Sequence, residues 1–271
     1  MAVEPADNDD RARMRSALSI LIPVVLTATI WMAWARVHPP PVPPPPIPDP
    51  DDRVAMARLQ RGEAIQQKYH AAAVDYPGEV FLRWLKREAA LELWARNPRR
   101  RFRLVATYPI LASSGDLGPK RREGDRQVPE GFYEIDRFNP ESQFHLSLGL
   151  NYPNASDRVL SDHEKPGSDI FIHGKNVSIG CAPIGDDAIE EVYLAALDAH
   201  ARGQTRIEVH IFPGRMAGTD WEQCAAQEIA QRPDLGPFWA QLQPAFAAFE
   251  AHRVVPSIIV ATDGQYVVSE H

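Results

Sequence analysis

The chain has 271 residues, a formal net charge of −7 and 44% hydrophobic residues, enough for one sizeable domain or two small ones. The excess of acid excludes a dedicated nucleic-acid binder, whose contact surface would be basic. Two cysteines exclude a disulfide scaffold.

Residues 1–15 read as a cytoplasmic N-terminal segment, and residues 16–35 form a run of 20 positions without charge. At ~1.5 Å per residue a helix of that length spans roughly 30 Å, the thickness of a bilayer core. Arg11, Arg13 and Arg15 precede the run and Arg36 follows it, a weak bias toward N-terminus in and C-terminus out. Trp31 and Trp34 suit an interfacial anchor, and Pro23 is tolerable in a membrane helix. Ala33-Trp34-Ala35 also has the form of a signal cleavage site. Either way the remainder is exported, and the length of the run favours a retained single-pass anchor. Residues 36–50 then read as a Pro-rich stalk. Its 39–50 stretch predicts a polyproline II rod of roughly 37 Å at ~3.1 Å per residue.

Residues 51–77 predict a helical lead-in, with Val54, Ala57, Leu59, Ile65 and Tyr69 as a modest apolar stripe. Runs at 80–85 and 91–95, separated by Lys86-Arg87-Glu88-Ala89, predict a hairpin. Further strands are predicted at 102–108, 131–135, 144–148 and 170–173, with a glycine- and charge-rich loop over 115–129. A helix starts near Asp186, its acids Asp187, Glu190 and Glu191 in or near the first turn, where the dipole favours them. A strand at 207–212, helices at 221–231 and 237–252, and a hairpin turning at Asp263-Gly264 complete the chain. The fold class is α+β with a strand-rich core.

The stretch at 172–181, Ile-His-Gly-Lys-Asn-Val-Ser-Ile-Gly-Cys, carries the chemistry. A thiol is a weak nucleophile until a base or a positive field helps it lose its proton. His173 is the candidate base for Cys181, and Gly174 and Gly180 leave room for a substrate carbonyl. Ser178 is a candidate to orient His173 or the cysteine loop by hydrogen bonding. Such a pair belongs to a cysteine acyltransferase or hydrolase.

Ile172-His173-Gly174 with Ser178-Ile179-Gly180-Cys181 resembles the signature of the L,D-transpeptidase catalytic (YkuD) domain family. The likeness extends to Gly118-Pro119-Lys120, to Glu123-Gly124-Asp125, to Val128-Pro129-Glu130-Gly131-Phe132 and to Leu150-Asn151-Tyr152-Pro153-Asn154 with Asp157. It is similar to the YafK-type branch through Val80-Phe81-Leu82-Arg83, Leu91-Glu92-Leu93-Trp94, His210-Ile211-Phe212-Pro213-Gly214-Arg215-Met216 and Phe238-Trp239. Together these motifs cover residues 78–268, which reads as the catalytic domain.

The resemblance implies a β-rich catalytic core with added helices, placed outside the cytoplasmic (inner) membrane in the periplasm. It implies Cys181 as nucleophile and His173 as proton acceptor and donor. Cys181 would attack the third-position diamino acid of a peptidoglycan stem tetrapeptide, release D-Ala and hold the rest as a thioester. An amine on another stem or on a lipoprotein, or water, would take the acyl group. Ile179 stands where many members carry a second histidine, and only eight positions separate His173 from Cys181. These departures bear on the acceptor, so release of wall-linked lipoprotein by an L,D-amidase is the alternative within the class. A non-catalytic wall-binding module is the alternative outside it.

The resemblance calls for no cofactor and no metal, and Asp157, His163 and Asp169 with His173 match no familiar zinc spacing. His145 and His210 are candidates for the same cleft, and Arg215 for a substrate carboxylate, which suits a fork-shaped guanidinium. Arg99-Arg100-Arg101 and Lys120-Arg121-Arg122 read as solvated turns with a second use against stem-peptide carboxylates. Cys224, inside a helical run, reads as packing.

Overall fold

A computed structural model describes residues 51–177 and 180–269. The anchor over 16–35, the stalk over 36–50 and Ser178 therefore lie outside the described residues. Among the described residues no helix is long and apolar enough to cross a membrane.

The elements in order are α1 (Arg53–Ala71), β1 (Glu79–Leu85), β2 (Ala90–Arg96), β3 (Arg103–Pro109), β4 (Gly131–Asn139), β5 (Ser147–Leu150), α2 (Ala155–Leu160), β6 (Phe171–His173) and β7 (Ala182–Pro183). After these come α3 (Asp186–Ala201), β8 (Glu208–Phe212), α4 (Thr219–Gln231), α5 (Leu235–His252), β9 (Ser257–Val260) and β10 (Tyr266–Ser269). Eight strands form one mixed sheet in the order β3-β2-β1-β8-β4-β5-β6-β7, and β9 and β10 form a separate hairpin. The expected hairpin at 80–95 is present as an antiparallel pair with Leu82 opposite Leu93.

Both faces of the sheet are covered, and alternation along β1 shows it. Val80, Leu82 and Trp84 pack with Ile65 and Tyr69 of α1 and Val192 and Tyr193 of α3. Phe81 faces the other way, into an aromatic cluster with Trp94, Phe102 and Phe249 of α5. Burying each large side chain contributes about 1.5–3 kcal/mol. The helical lead-in is thus part of the core, with Ala57, Ile65 and Tyr69 fully buried. Arg58 ties α1 to α3 through a two-bond fork to Asp198, 2.7 Å on each arm.

One expectation needs correction and one element is new. The strand expected at 144–148 is displaced to Ser147–Leu150, because Phe144 lies in a turn and His145 takes a left-handed φ of +72°. The short helix α2 was not foreseen. It rests on a capping box in which Asn154 accepts from the Asp157 amide and Asp157 accepts from the Asn154 amide.

Candidate active site

His173 ends β6, and Cys181 immediately precedes β7. The two strands run parallel in register, Ile172 beside Ala182 and His173 beside Pro183. Because the strands are parallel, the chain leaves β6 at His173 and crosses back in a loop to enter β7 from its other end, which sets Cys181 level with Phe171, two register positions from His173. Ile184 N–H donates to the His173 carbonyl at 2.9 Å, and Gly185 N–H to the Lys175 carbonyl at 3.1 Å, closing the loop's base. Gly174 is required there: a Cβ would sit 2.5 Å from Asp186 Oδ1 and 2.7 Å from the Phe144 carbonyl oxygen. Gly180 holds a φ of +118°, which side-chain-bearing residues rarely adopt.

His173 is buried, and its Nδ1 lies 2.6 Å from the Gly174 carbonyl oxygen. A carbonyl only accepts, so Nδ1 carries the hydrogen and Nε2 keeps its lone pair. The half-exposed ring of Phe144 covers the imidazole at 4.7 Å, tilted by 38°. Burial pushes the imidazole below its ordinary pKa, and the bond to Gly174 opposes that shift.

The Cys181 Sγ donates to the Asp169 carbonyl oxygen at 3.6 Å. Burial pushes the thiol above its ordinary pKa and the Asp169 carboxylate adds to the shift, while a backbone bond at Phe171 and the Lys120 ammonium oppose it. Near neutral pH the resting pair is thus a thiol and a neutral imidazole. That state suits proton removal as the nucleophile attacks, in place of a preformed thiolate. Cys181 and Cys224 are not joined in a disulfide.

Cys181 opens into a cleft of about 480 Å³ whose walls include Lys120, Glu123, Arg126, Asp169 and Ile170. One wall is the loop over 115–129, held from within by Asp125. That carboxylate accepts from Lys120 Nζ at 2.6 Å, from the Arg121 amide at 2.9 Å and from the Gln127 amide at 3.0 Å. The polar wall suits a ligand carrying both carboxylates and amines. Arg126 was not singled out from sequence, Glu123 entered only through the motif Glu123-Gly124-Asp125, and Asp169 only as a metal ligand set aside; the turn pairs Gly118-Pro119 and Gly124-Asp125 were the signal that this loop is shaped.

The other expected participants are engaged with partners of their own, although His145 sits against Gly174. His145 Nε2 is 2.8 Å from Glu190 Oε1 of α3. His210 is buried on β8 between Phe81 and Phe132, each ring 4.8 Å away. Arg215 Nη2 bonds Glu92 at 2.7 Å, and its amide bonds Glu88. None of these three lines the Cys181 cleft, and neither does His173, which follows Ile172 on β6. Asp157 faces Tyr133, Asp169 lies 3.4 Å from Arg137, and among the described residues no three His, Cys, Asp or Glu side chains gather as a metal's ligands.

The family profile of the YkuD L,D-transpeptidase catalytic domain matches residues 88–209, which include His173 and Cys181. YafK of Escherichia coli (strain K12), whose name marks it provisionally as an L,D-transpeptidase, is 34% identical over 208 residues, covering 76% of this chain and 79% of the relative. The same values hold for YafK of Escherichia coli O157:H7. Among solved structures, the helical cell shape determining protein Pgp2 of Campylobacter jejuni gives a TM-score of 0.41 at 17% identity, over 68% of this chain and 73% of that one. Bd1075 of Bdellovibrio bacteriovorus gives 0.37 at 22% identity, and this chain spans 58% of its length. On the 34% identity to YafK over most of both chains, with the profile match over residues 88–209 in agreement, the chain belongs to the L,D-transpeptidase family.

Proposed function

We infer that this chain is a cysteine acyltransferase of peptidoglycan. The observation that supports it most directly is Cys181 opening into a polar cleft, with His173 on the adjacent parallel strand two register positions away and its Nε2 lone pair free of the Gly174 bond. In the proposed reaction Cys181 attacks the carbonyl of the third-position diamino acid of a stem tetrapeptide, and His173 Nε2 takes the thiol proton. The tetrahedral adduct collapses to a thioester, and the proton passes to the nitrogen of the departing D-Ala. An amine of another stem then attacks the thioester, giving its proton to His173 as Cys181 leaves and is reprotonated.

Water in place of the amine would make the same centre a hydrolase, including one that frees wall-linked lipoprotein. Ile179, in the position where many family members carry a second histidine, is the feature that keeps this second reading alive. An anchor over 16–35 and a stalk over 36–50 would set the domain outside the cytoplasmic membrane, where this substrate lies.

The test is mass spectrometry of muropeptides after sacculi meet the purified chain, with Cys181→Ala as control. New diamino acid–diamino acid cross-links with D-Ala release identify the transferase. Stems freed of attached protein without new cross-links identify the hydrolase. Products that persist at full yield with Cys181→Ala would falsify both.

A further inference from the structure

Four arginines that play no part in this chemistry share a second cleft. It has a volume of about 570 Å³ and is lined by Arg99, Arg100, Arg101, Arg103, Asn97 and the Ala73-Val74 exit of α1. Neither His173 nor Cys181 lines it, and neither does any carboxylate. Among the described residues none of the four guanidinium groups forms an ion pair, in a chain whose net charge is −7.

The turn carrying them is built, not loose. The Asn97 carbonyl accepts from the Arg100 amide at 3.0 Å, and Asn97 Oδ1 accepts from the Asp75 amide at 2.9 Å. Arg99 holds a left-handed φ of +61°. Phe102 is buried in the aromatic cluster, and its amide donates to the Arg253 carbonyl at 2.8 Å. With Phe102 fixed inward, the two-residue period of an extended chain sends Arg101 and Arg103 outward together.

Guanidinium forks match carboxylate oxygens. Four cations spread around one cleft suit an anion whose charges are spaced along a chain better than one compact charge. β3 is an edge strand, and charge there also deters edge pairing, but that role needs no concavity and lysine would serve it. We propose that the arginine cleft is a second peptidoglycan-docking site, binding the carboxylates of an acidic stem peptide while the Cys181 cleft acts on another. The proposal rests on the peptidoglycan reading given above.

The test uses the full chain carrying Cys181→Ala, cosedimented with sacculi, with and without Arg100→Glu and Arg101→Glu together. The expected result is a loss of affinity of roughly tenfold on charge reversal, with most of the difference removed in ~0.5 M salt. With Cys181 intact, the same two substitutions should leave turnover of a soluble stem tetrapeptide within about twofold. Unchanged binding to sacculi overturns the proposal, and so does an equal loss of tetrapeptide turnover, which would report damage to the fold. Displacement from sacculi by tripolyphosphate but not by free stem tetrapeptide also overturns it, assigning the cleft to phosphate. If wild type turns over no peptide yet the arginine-dependent binding persists, the docking site stands and the catalytic reading falls.

Discussion

Lys86 Nζ lies 2.9 Å from Glu130 Oε1, and both side chains are buried. Lys86 leaves the end of β1, and Glu130 precedes β4, so the pair bolts the loop that walls the Cys181 cleft onto the sheet. Every polar atom has a role. Nζ also donates to the carbonyls of Asp116, Gly118 and Val128 at 3.1, 2.8 and 3.0 Å. Glu130 accepts from the Gly118 amide at 2.6 Å and from Trp239 Nε1 at 2.8 Å. Burial pushes the ammonium pKa down, with Glu130 pulling against it. Lys86→Met would strand a buried carboxylate and three carbonyls, at a cost of about 3–5 kcal/mol. A urea midpoint unmoved by that substitution would show that the loop is held by something else.

The charges beside Cys181 make a separate prediction about reactivity. Asp169 raises the thiol pKa and Lys120 lowers it, so the two substitutions must act in opposite directions. Asp169→Asn should speed alkylation of Cys181 by iodoacetamide at pH 7.5 roughly two- to fivefold, and Lys120→Met should slow it. Cys224→Ser removes the background from the second thiol. Rates that move the same way for both variants would mean altered access, not altered acidity.

Phe144 supplies a third prediction, through His173. Its ring lies 4.7 Å from the imidazole, and burial is the main cause of the depressed imidazole pKa. Because the neutral imidazole is the base, activity should rise with pH through an acid limb whose midpoint lies below the ordinary 6.5. Phe144→Ala admits water to the ring, so that midpoint should move up toward 6.5. The maximal rate should fall roughly tenfold as the ring loses its orientation. A lower rate with an unmoved acid limb would limit Phe144 to packing.

The sheet was legible where hydrophobic runs are bounded by turns, as at Lys86–Ala89, and the helices where their dipole signals agree, as at Asp186 and Asp187. Burial on both faces was less so: β1 is apolar on one side for α1 and α3 and aromatic on the other for α5. The displaced β5 reflects Phe144 and His145, whose apolar and aromatic character reads as strand while their turn serves His173. His173 and Cys181 stood out as candidates because one short segment holds both. Glu123, Arg126 and Asp169 reach the cleft from distant segments, and Arg215 looked available because its carboxylate partners, Glu88 and Glu92, are more than 120 positions away. Local pattern carries little information about pairings closed by topology.

Asp157 ties the fold to pH. Its carboxyl is buried, accepts from Tyr133 Oη at 3.0 Å and from the Asn154 amide at 3.2 Å, and lies 3.6 Å from Arg121. Burial outweighs these partners and pushes its pKa from 3.8 up to about 6. A carboxyl with a raised folded pKa binds its proton more tightly in the native state, so its contribution is complete below pH 3.8 and is lost as pH rises through 6. The loss across that window is about 3 kcal/mol. Asp157→Asn cannot titrate and keeps one acceptor for Tyr133 and Asn154, so the downward slope between pH 4 and 6 should disappear from its stability curve. Urea denaturation of both chains at pH 4, 5, 6 and 7 decides the matter. A slope that survives the substitution assigns the pH dependence to other groups, and Asp157 to packing alone.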